Sequence, residues 1–359
     1  MSRTASLRTA VERHFGWAWA AGIAMAVATV VLSAINELPI KDPDALIPGY
    51  IRFPLIILTA IALDVVPRVV WRSRRAPREF GRHWRAVLDE RWRLQHWLFA
   101  VGGLSAWYLC YTAFRNLKSM VPYVNSAVWD DEFARIDRVL WFDHDPSQVM
   151  HDLFGTGIAA HFFSAVYFIW IALVPVSIAI ALVFSRRTQA GSWFVTAVAF
   201  DWALGALFYL LLPTLGPVYH EGQRQLFTAL PETYNTLLAN QLWDDRVAML
   251  ADRDAGLQTI AAFPSLHVGI MMTICVFLEY VRARRWVRVT SWVFFVLTVI
   301  ATMYLGWHFF VDVLGGMALG SFTVWAAAMA TGNRFGLVPR LADEPEETPA
   351  REQQAAVCD

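Results

Sequence analysis

The chain has 359 residues, 57% of them hydrophobic and only 17% charged, against roughly 45–50% and about 25% for a soluble globular domain. Aromatics reach 14%, with 17 Trp, and this density excludes a soluble multidomain enzyme in favour of a membrane composition. Basic and acidic residues balance at 30 each, so no bulk charge recruits nucleic acid and only the placement of charge carries information.

A membrane helix needs about 20 mostly apolar residues, because a helix satisfies its own backbone hydrogen bonds where no water does. Eight stretches qualify, at about 16–36, 50–67, 96–114, 158–184, 192–212, 264–281, 287–306 and 308–330. The expected class is an all-α, polytopic membrane helix bundle. The first stretch is longer than a signal core of about 7–15 residues and is followed by no small-x-small cleavage site, so it reads as an anchor. The second is the weakest, interrupted by Arg52, Pro54 and Asp64. Cys110 and Cys275 lie in apolar runs and Cys358 in the tail, which predicts free thiols and no metal cluster.

Charge alternates between successive connections. Arg3, Arg8 and Arg13 precede the first span, the second-to-third connection is Arg-dense from Arg68 to Arg93, and Arg186, Arg187, Arg282, Arg284 and Arg285 fill two later ones. The intervening connections carry Glu37, Asp42 and Asp44, then Asp130, Asp131, Glu132 and Asp137, then Asp244, Asp245, Asp252 and Asp254. The positive-inside asymmetry predicts a cell-membrane protein with both termini cytoplasmic and the acidic loops outside.

Two of the outer connections are long. Residues 115–157 mix Trp129, Phe133, Ile136, Val139, Leu140 and Trp141 with acids. That pattern predicts an amphipathic helix, lying on the outer leaflet or packed as a cap over the bundle. Residues 213–262, opened by Pro213 and Pro217, predict a partly helical lid. The tail from 332, with Glu344, Pro345, Glu346, Glu347 and Pro349, has a composition that predicts disorder.

Polar groups gather at the outer ends of the last spans. The sixth span opens Phe263-Pro264-Ser265-Leu266-His267, and the eighth opens Gly306-Trp307-His308-Phe309-Phe310-Val311-Asp312. On a helix, His308 and Asp312 share one face, so the carboxylate can hold an imidazole N–H and fix its tautomer. The sixth span runs inward and the seventh returns, which brings His267 to the same depth. Ser265 marks a helix start whose free N–H groups suit an anion beside His267. A His-His-Asp metal site is geometrically open, yet an acid that orients an imidazole is poorly placed to ligate as well. Tyr304, one turn before His308, is a candidate to face the pocket. Asp201 falls near mid-membrane, where an acid lines a cavity or is hydrogen-bonded within the bundle; His161, Tyr219 and His220 lie near the outer interface.

Pro264-Ser265-Leu266-His267 followed by His308-x-x-x-Asp312 resembles the second and third signature motifs of the type 2 phosphatidic acid phosphatase superfamily. The Phe-Pro-Ser-Leu-His wording, the run His308 to Gly316, and Pro213-Thr214-Leu215-Gly216-Pro217-Val218-Tyr219 resemble its branch related to inositolphosphorylceramide synthase. The resemblance covers residues from about 95 to 330. It implies a six-helix core over 95–331, preceded by two spans and an Arg-rich loop in 1–94 and followed by the tail 332–359. It also implies a phosphohistidine intermediate, with no metal and no cofactor. Carried over, His308 attacks phosphorus, Asp312 orients it, His267 protonates the departing oxygen and then activates the acceptor, and Ser265 with nearby amides holds the phosphoryl oxygens. Phosphatases of the superfamily carry Ser-Arg where this chain has Ala301-Thr302, and Lys-x6-Arg-Pro where the nearest match is Arg115-Asn116-Leu117-Lys118 with Pro122. Arg115 and Lys118 are the candidates to replace those cations, although basic residues at span ends also snorkel to headgroups.

The expected activity is metal-independent transfer of a phosphoryl-containing group from an outer-leaflet lipid phosphate to an alcohol. Hydrolysis of polyprenyl phosphate or phosphatidic acid, with water as acceptor, is the alternative. A proton-coupled transporter built on Asp201 is the rival from another class.

Overall fold

The computed structural model describes residues 3–43, 49–185, 187–333 and 339–341, without the side chains of 3–13, 49 and 50. Asp44, Arg186, Cys358 and the tail positions 334–338 and 342–359 lie outside the described residues, as do the side chains of Arg3, Arg8 and Arg13. Cys110 and Cys275 are buried free thiols.

The elements among the described residues are helical, as the composition predicts. The first two spans form α1 (Arg3–Asn36) and α2 (Gly49–Ser73), and the Arg-dense connection contains an unforeseen helix, α3 (Phe80–Arg91). The third span is α4 (Leu94–Val124), and two short helices, α5 (Asp130–Leu140) and α6 (Pro146–Phe154), follow it. Next come α7 (Ile158–Ala179), continued by a π-helical stretch to Phe184, and α8 (Thr188–Leu211). The second long connection contains α9 (Arg224–Phe227) and α10 (Tyr234–Ala251), before α11 (Leu266–Tyr280), α12 (Arg285–Tyr304) and α13 (Phe310–Ala330).

Among the described residues, seven helices are long and apolar enough to cross a membrane: α1, α2, α4, α7 with its extension, α8, α12 and α13. The eighth expected span, α11, has 15 residues and rises only about 22 Å against a hydrocarbon core of about 30 Å. It packs between α8, α12 and α13. In α4 the apolar stretch ends near residue 114 as expected, but the helix runs on to Val124. Its outer turns are held by side chains: Asn116 donates to the Lys41 carbonyl (2.9 Å) and accepts from the Lys41 amide (3.0 Å).

Small residues let α11 and α13 approach backbone to backbone. A Cβ on Gly320 would lie 2.1 Å from the Gly269 carbonyl oxygen, and one on Gly316 would lie 2.4 Å from that of Ser265. Helix α8 joins this pair through Asp201, which accepts from the hydroxyls of Thr273 (2.7 Å) and Thr323 (2.6 Å). A carboxyl in apolar surroundings requires such partners.

The Arg-rich connections collect at one end of the bundle. There Asp64 of α2 accepts from Arg91 Nε (2.7 Å), Arg68 Nε (3.2 Å) and Trp92 Nε1 (3.2 Å), and Gln189 donates to the Thr331 carbonyl. The acidic connections cover the other end. Helix α5 packs there as a cap, with Phe133 against Phe263 and Phe309. Its other face leaves Ile136, Val139 and Leu140 exposed, and Phe142 in the turn just beyond is 89% exposed, so the amphipathic pattern serves both the packed cap and an apolar outer surface.

Candidate active site

A cavity of about 450 Å3 lies between α2, α4, α7, α8 and α11, closed by the 215–219 and 259–261 segments. Its walls are aromatic. Trp107, Tyr111, Phe114 and Lys118 occupy successive turns of one face of α4, and Tyr167, Trp170, Trp202, Tyr209 and Trp307 complete the lining. His267 and His308 belong to the lining, with His267 Nδ1 3.2 Å from His308 Nε2. The rings of Trp170 and Tyr167 lie 4.2 and 4.8 Å from the His267 ring.

His308 is placed by a loop and not by a helix, which corrects the expectation that it shares a helical face with Asp312. Gly306, at φ 75°, ends α12; its amide bonds the Met303 carbonyl (3.1 Å) and the Trp307 amide the Thr302 carbonyl (2.9 Å). This is the glycine-terminated C-cap in which the two residues past the helix return to its last turn. A side chain on Gly306 would also strike the Phe227 ring. The chain therefore turns sharply and presents His308 before α13 starts at Phe310. Asp312 sits in the first turn of α13, where Oδ2 accepts from the Phe309 amide (2.9 Å) and lies 3.4 Å from His308 Nδ1. His308 is 4% exposed and Asp312 0%. His308 Nδ1 and Asp312 Oδ1 have no hydrogen-bond partner among the described residues.

The loop that faces His308 is clamped by the acids of α5. Asp130 accepts from the amides of Leu215 (2.9 Å) and Gly216 (2.8 Å), and Asp137 from those of Phe310 (2.6 Å) and Val311 (3.0 Å) at the start of α13. Burial pushes the carboxyls of both upward, that of Asp137 to about 6, against the opposing pull of these amides. Gly216, at φ 104°, backs onto the Trp307 carbonyl, and the Val218 amide bonds Gly306 O (2.9 Å). The Pro213–Tyr219 segment thus braces the turn that carries His308.

The other sequence candidates divide. Arg115 and Lys118 both line the cavity, past the end of the apolar stretch but still inside α4. Lys118 Nζ lies 4.8 Å from the Tyr209 ring centroid and has no carboxylate partner among the described residues. Arg115 reaches the Pro43 carbonyl (3.3 Å), and its Nε has no partner. Ser265 caps α11, accepting from the Val268 amide (3.3 Å), and its own amide bonds the Asp312 carbonyl (3.0 Å). Its hydroxyl is buried outside the cavity lining. Tyr304 does not face the cavity: its hydroxyl donates to the Gly155 carbonyl (2.6 Å), because that side of α12 packs on α6 and α7. Asp201 is likewise absent from the lining and is bound by its two threonines. His220 bonds Asp131 (2.8 Å), Tyr219 joins the cavity wall, and His161 is exposed.

A third cation escaped the sequence reading. Arg52 of α2 lines the cavity and donates to the Tyr108 hydroxyl (2.7 Å) and Asp42 (3.0 Å). Its position inside an apolar span was the available signal, since a charge there commonly faces a cavity. The aromatic wall was legible too, as the spacing of Trp107, Tyr111, Phe114 and Lys118 places them on one helical face. No cluster of three or more metal-ligating side chains occurs among the described residues.

A family model described as the PAP2 superfamily matches residues 131–326, more than half of the chain, from α5 into α13. No curated protein and no solved structure matches. Helices α2 and α4, with Arg52, Arg115 and Lys118, precede the matched region.

Proposed function

The chain belongs to the PAP2 superfamily, and from that premise we propose a lipid phosphotransferase that carries the phosphoryl-containing group on His308. Membership supports membrane lipid-phosphate chemistry of the phosphatase or phosphotransferase type. The observation that carries the finer reading is the pair of imidazoles 3.2 Å apart lining an aromatic cavity that also holds Lys118.

With the His308 proton on Nδ1, 3.4 Å from Asp312, the Nε2 lone pair, which faces His267 at 3.2 Å, attacks phosphorus as the lipid enters between the two rings. The P–O bond to the departing lipid breaks, and that oxygen takes a proton from His267. Asp312 stabilises the positive charge that His308 acquires. An acceptor then loses its proton to His267 as its oxygen attacks phosphorus, and the P–N bond breaks with its electrons returning to Nε2. Lys118 and Arg115 balance the charge on the phosphoryl oxygens, the main demand of such a transfer. Ser265 contributes as a helix cap that holds His267 and Asp312 in register. The lipid tail lies along the aromatic wall, and Arg52 meets the headgroup at its far side.

The Arg-rich end is opposite the cavity, which under the positive-inside rule supports access from the outer leaflet. The resemblance to the inositolphosphorylceramide synthase branch and the loss of the Ser-Arg pair favour an alcohol acceptor over water. Labelled phosphatidic acid and phosphatidylinositol, supplied in micelles with an alcohol acceptor, test this. A phosphorylated alcohol is the expected product; inorganic phosphate alone would return the reading to hydrolysis, and no turnover would refute it.

A further inference from the structure

Helix α2 is packed against the bundle along only part of its length. Ala60, Asp64, Val65, Val69 and Ser73 are buried, whereas no residue from Ile51 to Thr59 is. The inner half is fixed by the bonds of Asp64 and by contact with α3 and the π-helical end of α7. In the outer half, Arg52 and Ile56 stand one turn apart and line the histidine cavity. Contact with α4 there is made at Tyr108, whose hydroxyl accepts from Arg52 and whose ring lies 4.9 Å from that of Phe53.

Helix α7 supplies another wall of the same cavity through Trp170, Ile171, Val174 and Pro175. Ile171 is nonetheless 43% exposed, and Pro175 is exposed as well. Lining residues that are also exposed mark an opening, and this one lies on two helices apolar enough to face hydrocarbon. The cavity behind it runs inward. On α4 the lining descends from Lys118 to Trp107, about 16 Å along the axis, and on α7 Val174 lies one turn inward of Trp170, which packs beside His267. A phosphate held at the histidines therefore leaves its chain directed down the seam between α2 and α7. Trp107 Nε1 and Trp170 Nε1 belong to lining residues and are buried donors with no hydrogen-bond partner among the described residues, the condition expected where a ligand brings the acceptor.

We propose that the donor lipid enters the cavity sideways from the bilayer, between the outer halves of α2 and α7, and that its hydrocarbon chain stays seated between Ile56 and Ile171 while the phosphate reaches His308. The occupant is a lipid chain because the groove is continuous with the histidine cavity and opens on a hydrocarbon-facing surface, where burial of apolar chain is favourable only against apolar walls. The assignment rests on the lipid-phosphate reading of that cavity, to which it adds a route and a site for the tail. Helix α2 precedes the family-matched residues and α7 lies within them, so one wall of the portal is outside the matched region.

The test uses the full chain carrying His308→Ala in phosphatidylcholine vesicles, so that binding is read without turnover. Phosphatidic acid with a photoreactive diazirine in one acyl chain is photolysed there with and without excess unlabelled phosphatidic acid, and the adducts are mapped by mass spectrometry. Adducts that the competitor suppresses are expected in residues 51–59 and 168–176, against unsuppressed adducts on the remaining lipid-facing surfaces. Suppressed adducts confined to other helices, or no suppressed adduct at all, would overturn the proposal. A second measurement uses Ile171→Trp in the otherwise unaltered chain, which narrows the opening at an exposed position and leaves the bundle core intact. The ratio of KM for dioleoyl to KM for dihexanoyl phosphatidic acid is expected to rise about tenfold, the equivalent of about two methylenes kept from apolar contact; an unchanged ratio would overturn the tail site. Suppressed adducts at the seam in a protein whose parent turns over no lipid phosphate would refute the phosphotransferase reading alone, and turnover with suppressed adducts elsewhere would refute the portal alone.

Discussion

Replacing Gly320 by Ala tests whether the approach of α11 to α13 sets the distance between the two histidines. The added Cβ would lie 2.1 Å from the Gly269 carbonyl oxygen and 3.0 Å from Met272 Cβ, whereas unstrained contacts lie near 3.5 Å. Both obstacles belong to helical backbone or to the base of a side chain, so neither can swing aside. The helices must separate by about 1 Å or more, at an overpacking cost of about 1–3 kcal/mol. His267 is the second residue of α11 and His308 precedes α13, so the 3.2 Å separation of their nitrogens widens with the helices. A displacement of about 1 Å in a reacting constellation lowers rates on the order of 100-fold. The assay is turnover of a labelled lipid phosphate by purified parent and Gly320→Ala proteins, with thermal unfolding measured alongside. The expected result is a folded protein with a lower Tm and turnover reduced by about two orders of magnitude. Parental turnover in the variant would refute the claim that glycine-mediated contact sets the site.

Lys118→Met removes a cation from the cavity that holds both histidines; charge-assisted bonds are worth about 1.5–3 kcal/mol, so KM for the lipid phosphate is expected to rise on the order of 10- to 100-fold. Unchanged steady-state kinetics would remove Lys118 from the site. Burial raises the Asp137 carboxyl from the ordinary 3.8 to about 6, so between those values the folded protein holds a proton that the unfolded chain has released. Its contribution to stability is therefore largest below the lower value and is lost as pH rises through about 6. Asp137→Asn abolishes this dependence, and the variant-minus-parent difference in Tm should rise from pH 4 to pH 7; a difference flat in pH would contradict it. Phe142→Cys, at an exposed position on the cap, should react with a membrane-impermeant maleimide in intact cells, and labelling only after lysis would reverse the orientation.

The helical class and most of the spans were legible because hydropathy reports directly what a bilayer accepts. Helix α4 was cut short by that same measure: Arg115 and Lys118 end the apolar run but not the helix, whose outer turns are held by contacts such as Asn116 with Lys41. Spacing alone marked His267, His308 and Asp312 for one place. It also suggested a helical face for His308 and Asp312, whereas the left-handed Gly306 turn makes the pairing through a loop. Tyr304 shows the limit of counting turns, since its direction is decided by what α6 and α7 pack against it. Arg52 read as a defect in a weak span until the cavity beside it was visible, because a charge has no periodic signature to reveal which neighbour it serves.

The central claim is that His308 becomes covalently phosphorylated. Parent and His267→Ala proteins would be mixed with labelled lipid phosphate, quenched in alkali within seconds, and digested for mass spectrometry, with His308→Gln as control. The account predicts acid-labile, alkali-stable phosphate on His308 of the parent, formed more slowly in His267→Ala because the proton donor to the departing lipid is gone, and absent from His308→Gln. Turnover by the parent with no phosphate on His308, or undiminished turnover by His308→Gln, would contradict it.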